Sequence, residues 1–115
     1  MRARFCWLLL WGMAVAGVCY ASLTPDMAPP GMVGIDKLEH AGAYFLLSLL
    51  AILAFAPHRR RLAALGFLFL LGAALEVLQG IVGGREASVV DQIANSAGIL
   101  LALAGLAWLQ RRRRA

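Results

Sequence analysis

Four apolar runs, each about twenty residues long and separated by short polar or arginine-rich segments, constrain this chain more than anything else in it. A helix rising 1.5 Å per residue needs about 20 residues to cross a hydrocarbon core roughly 30 Å thick. Each run meets that length. In lipid a spanning segment must satisfy its own backbone hydrogen bonds, so a run of this kind is a helix or part of a closed barrel, and continuous apolar stretches without alternation favour the helix. The expected spans are 5–23, 38–56, 62–82 and 89–109. The fold class predicted is all-α, a polytopic membrane protein built as a four-transmembrane-helix bundle, with residues 1–115 forming a single domain. Hydrophobic residues at 62% and charged residues at 15% exclude an ordinary soluble domain.

The first run reads as a span rather than a cleaved signal, because it is longer than a signal core and Cys19-Tyr20-Ala21 is a poor small-x-small cleavage site. The segment 22–35, with Pro25, Pro29 and Pro30, reads as an extended surface loop. Asp36-Lys37-Leu38-Glu39 fits a capping box with Asp36 at the N-cap, and Ser88-x-x-Asp91 fits a second one. Residues 57–61 read as a basic turn and 110–114 as a basic tail. Ala94, Gly98 and Ala102 form a small-residue stripe for close helix approach, as do Gly12 and Ala16. Cys6 and Cys19, about 20 Å apart along one helix, are too distant to pair.

Orientation follows from the arginines. Arg2 and Arg4, the 57–61 turn and Arg111 to Arg114 fall on one side of a four-span chain, and they hold every basic residue except Lys37 and Arg85. By the positive-inside rule that side is cytoplasmic, with both termini inside. The net charge of +5 is thereby explained as topology, and no nucleic-acid partner is expected; the bilayer itself is the first partner.

The same orientation gathers the polar residues. Asp36, His40, Tyr44 and Ser48 recur every four residues on one stripe of the second helix. Glu76 and Gln79 lie one turn apart near the outer end of the third, and Asp91 and Asn95 open the fourth. All three groups lie in the outer leaflet. Ionisable side chains inside a membrane are costly and mark functional sites by default. His40, Glu76 and Asp91 are the candidate catalytic residues, and Asp36, Tyr44, Gln79, Arg85 and Asn95 the candidate binding residues. Each has a bland reading beside it. Ser88 and Asp91 can serve as caps, Asn95 as interhelical glue, Glu76 as the partner of Arg85 in a bidentate pair, and His40 as a packed side chain. Asp36, His40, Glu76 and Asp91 also form an oxygen-rich set suited to Mg or Mn rather than Cu. No metal-ligand spacing such as HExxH accompanies them, so the cofactor stays open. There is no GxSxG elbow and no phosphate-loop pattern.

The set Asp36-Lys37-x-x-His40-x-x-x-Tyr44, Glu76-x-x-Gln79, Gly84-Arg85 and Ser88-x-x-Asp91-x-x-x-Asn95-x-x-Gly98, with Ser22-Leu23-Thr24-Pro25 before it, resembles that of VanZ-like membrane proteins. The resemblance implies a bacterial cytoplasmic-membrane location and a cell-envelope role, the founding member being linked to low-level resistance to the glycopeptide teicoplanin. It implies no defined reaction. Two classes of function therefore stand side by side: an intramembrane enzyme acting on a lipid-linked envelope substrate or anionic lipid headgroup, and a non-catalytic binding or stress-adaptation protein whose polar cluster is structural. The topology has a direct test: reporters fused at either terminus are expected to be active only in the cytoplasm, and one inserted near Glu86 only outside.

Overall fold

In the computed structural model the described residues are 1–24, 34–82 and 86–115. They form four α-helices and, among the described residues, no strand: α1 Arg2–Leu23, α2 Ile35–Ala54, α3 His58–Val82 and α4 Val89–Arg114. All four are long and apolar enough to cross a membrane, as expected. Their boundaries differ from the sequence expectation for local reasons. The second helix begins at Ile35 behind Gly34, so Asp36 lies inside the first turn and makes no cap; the anticipated box at 36–39 is not formed. It stops at Ala54 because Pro57 follows, and Phe55 is already extended. His58–Arg61 is not a turn but the first turn of α3. The arginine tail is helical to Arg114, since arginine is a good helix former and its cations suit a helix C-terminus. Ser88 does cap α4, its hydroxyl accepting from the Asp91 amide at 3.2 Å.

Helix α2 packs against all three others, while α1 leans on α2 and α3 only. The interior is formed by Tyr44, Leu47 and Ala51 of α2, Ala64, Leu65 and Leu68 of α3, and Ile99 of α4. Helix α1 buries no residue fully. It offers Trp11, Ala14, Val15 and Val18 to that core, and Trp11 stands edge-on to Phe55 with ring centroids 5.0 Å apart. Such an aromatic pair contributes about 0.5–1.5 kcal/mol beyond its area. Many large apolar side chains, among them Leu70, Ile81, Val89 and Leu100, are exposed. This is the surface a bilayer covers. Lipid tails are as apolar as leucine, so helices there associate through close packing and polar contacts rather than through water exclusion.

The closest packing is between α2 and α4. A Cβ added at Gly98 would run into the Ala41 carbonyl oxygen and would lie 2.8 Å from the Phe45 amide nitrogen. Backbone meets backbone there. Ala102, one turn further, is buried, so the Gly98/Ala102 part of the small-residue stripe performs as expected. The Gly12/Ala16 stripe of α1 does not: both residues are exposed and a Cβ at Gly12 meets nothing within 4 Å.

Helix ends are tied down by side chains that take up orphaned carbonyls. Thr24 Oγ1 donates to the Tyr20 carbonyl at 2.7 Å, and Arg61 Nε donates to that of Phe55 at 2.7 Å. Arg112 lies over the Trp108 ring, 4.3 Å from its centroid, which anchors the end of α4. Cys6 and Cys19 are both free, as expected.

Because the obstacle at Gly98 is main chain and cannot swing aside, Gly98→Ala is expected to destabilise the bundle by about 1–3 kcal/mol, the usual range for overpacking. Gly105→Ala, where an added Cβ meets nothing within 4 Å, is expected to be neutral or stabilising by up to about 1 kcal/mol through helix propensity. Unfolding of the two variants in the same mixed micelles provides the comparison.

Candidate functional site

The polar residues of α2, α3 and α4 do meet at one end of the bundle. His40, Glu76 and Asp91, one from each helix, each place a ligand atom within 4.8 Å of the others. Glu76 and Asp91 are buried, at 6% and 4% exposure; His40 is half-buried. An uncompensated carboxylate at such a place is strongly unfavourable, so the surroundings of each matter.

Asp91 is compensated by Lys37, whose ammonium contacts Asp91 Oδ1 and also lies 2.9 Å from Asp36 Oδ2. Asp36 thus belongs to the rim of the site, joined to Asp91 through Lys37 rather than seated among the three. Glu76 Oε2 accepts the Ser88 backbone N–H at 3.2 Å. Ser88 therefore joins the two acidic residues, its amide donating to the Glu76 carboxylate and its hydroxyl accepting from the Asp91 backbone N–H. The expected Glu76–Arg85 pair, and the Gly83-Gly84 backbone beside it, lie outside the described residues, as does most of the 22–35 loop.

A relay of side-chain amides settles the histidine. The Phe69 carbonyl can only accept, so Gln92 Nε2 donates to it, at 3.1 Å. Gln92 Oε1 is then left to accept from Asn95 Nδ2, at 3.2 Å. That leaves Asn95 Oδ1 as an acceptor facing His40 Nδ1 at 3.1 Å. One backbone carbonyl thereby orients both amides and makes Nδ1 the protonated ring nitrogen. In the neutral ring Nε2 carries the lone pair, and it faces Asp91 Oδ2 at 3.7 Å. The three inner groups consequently present acceptors to one another. The donors that reach the carboxylates are the Lys37 ammonium, on Asp91 Oδ1, and the Ser88 amide, on Glu76 Oε2.

Gly72 makes room for the relay. A Cβ there would lie 2.8 Å from Gln92 Oε1, 3.1 Å from Asn95 Nδ2 and 3.3 Å from the Tyr44 ring. Tyr44 itself is only 3% exposed and forms part of the apolar floor. Ser48, a turn deeper, is fully buried, and its hydroxyl has no partner among the described residues. Gln79 is turned aside: its Nε2 donates to the Ser22 carbonyl at 2.7 Å, tying α3 to the last turn of α1.

The sequence reading missed Lys37, Gln92 and Gly72. Lys37 stands three residues before His40, hence on the same helix face, a signal that was available. Gln92 follows Asp91 directly, and nothing in its spacing sets it apart from an ordinary first-turn polar residue.

The VanZ/LLP1 family profile matches residues 7–110, nearly the whole chain. No curated protein and no solved structure matches it. With its four membrane-length helices and that match, the chain belongs to the VanZ/LLP1 family of membrane proteins.

Proposed function

We propose that the cluster at the α2–α3–α4 end is the active site of an intramembrane enzyme, a hydrolase or transferase that acts on a lipid-linked substrate in the outer leaflet of the bacterial cytoplasmic membrane. The observation that carries this reading is the convergence of His40 with two buried carboxylates, one ligand atom of each within 4.8 Å of the others and His40 Nε2 3.7 Å from Asp91 Oδ2. Structural polar residues in a bundle pair off donor to acceptor; here acceptors are held facing one another by a relay that runs through two further side chains.

In this reading Lys37 at the rim draws in an anionic headgroup, and a water or substrate hydroxyl enters between the three acceptors. As its oxygen bonds to the carbon or phosphorus of the substrate ester, its proton passes to one of them. That group, now in its acid form, returns the proton to the departing oxygen as the ester bond breaks. Proton transfer by positioned groups contributes roughly 10²–10⁴-fold to rate. Asn95 and Gln92 act as positioning residues, keeping Nε2 on the substrate side. Glycopeptide sensitivity would respond to such an enzyme through the envelope lipid it alters.

A non-catalytic reading draws on different contacts: Gln79 on the Ser22 carbonyl and Glu76 on the Ser88 amide join elements without any need for chemistry. The two separate cleanly in Glu76→Gln. The amide still accepts from Ser88 through its oxygen, so the contact survives while the carboxylate is lost. Purified protein with lipid phosphates and lipid-linked wall precursors is expected to release product, and Glu76→Gln to lower that rate at least about 100-fold with unchanged protein level. Full activity or an unaltered drug phenotype in Glu76→Gln would remove the enzyme reading.

A further inference from the structure

We infer that the space between His40 Nε2, Glu76 and Asp91 is a binding site for one divalent metal ion of the Mn²⁺ or Zn²⁺ type. The inference deepens the reading above, supplying the cofactor of that same site, and relies on it only for the substrate.

Three observations point the same way. Each of α2, α3 and α4 contributes one ligand atom, and the three lie within 4.8 Å of one another, so a small inward movement of the side chains brings them to the separation of at most about 4.4 Å set by an ion bonding at about 2.0–2.2 Å. The relay from the Phe69 carbonyl fixes Nδ1 as the donor and so frees Nε2 for a metal. Metal-binding histidines characteristically donate their other ring N–H to an oxygen acceptor, which sets the tautomer and the ring plane; Asn95 Oδ1 is that acceptor here. The charge also balances, since a divalent ion offsets the two buried carboxylates and leaves Lys37 to Asp36, 2.9 Å away.

One nitrogen and two carboxylate oxygens make a mixed donor set. It lacks the thiolates that Cu(I) favours, and its single imidazole suits Mn²⁺ or Zn²⁺ better than Ca²⁺. Three protein ligands leave coordination positions open for water and substrate. Bound there, the ion would polarise a phosphoryl or carbonyl oxygen and acidify a water ligand. The expected donor set therefore corrects the four-residue one read from the sequence: Asp36 is not a member.

The test uses the full chain, carried on a tag without histidines, stripped with chelator and kept in mixed micelles. Titration with Mn²⁺ and separately with Zn²⁺, followed by metal analysis and by Mn²⁺ spin resonance, is expected to give one ion per chain. His40→Gln, Glu76→Gln and Asp91→Asn are each expected to weaken binding at least tenfold. Asn95→Leu is expected to weaken it about 10–100-fold, as loss of an outer partner does, while Asn95→Asp, which still accepts from Nδ1, retains it. Circular dichroism establishes that each variant is helical. A helical wild-type chain that holds no more metal than His40→Gln overturns the site. Turnover of lipid substrate that survives exhaustive chelation overturns it too and leaves the enzyme reading standing. Stoichiometric metal with no turnover does the reverse.

Discussion

Everything at the polar end rests on the contact between α2 and α4 at Gly98. Inside a bilayer no water-driven force holds two helices together, and their separation is set by how small the residues between them are. Glycine lets the α4 backbone lie on the Ala41 carbonyl. Ala41 adjoins His40, and Gly98 is three residues from Asn95 along α4, so the approach that fixes one pair delivers the other. His40 reaches Asn95 at 3.1 Å and Asp91 at 3.7 Å for that reason. A wider spacing would leave the imidazole without either partner and return a buried carboxylate to lipid.

The third helix contributes in a different way. Its carboxylate is locked from the α4 side, by the Ser88 amide, and its Phe69 carbonyl sends the signal that sets the amide relay. Helix α3 therefore supplies both a buried carboxylate and the reference that orients its neighbours. Gly72 links the two tasks, since the relay passes over a position of α3 that carries no side chain.

Helix number, approximate spans and the shared depth of His40, Glu76 and Asp91 were all legible from the sequence, because length, apolarity and four-residue spacing are local properties. What escaped was rotational. That Lys37 reaches Asp91 depends on which face α2 turns to α4, and a helix polar on one stripe near its end leaves a wide choice. Gln79 looked like a site residue because it lies one turn from Glu76; the structure gives it instead to the Ser22 carbonyl, an unsatisfied group at a helix end that only tertiary structure brings within reach. Gln92 could be recognised only once Phe69 was known to lie opposite it.

The loose attachment of α1 has a consequence for the molecule's motions. That helix buries no residue fully, has no contact with α4 among the described residues, and is fastened by Trp11, Ala14, Val15 and Val18 against the core and by the Gln79–Ser22 bond. Regions with few buried contacts open at the lowest free energy. Partial opening should therefore begin as a stave swinging away from a three-helix frame that stays shut, an order that amide exchange reads directly. Lipid would then gain a sideways entrance to the bundle without the α2–α4 seam ever parting.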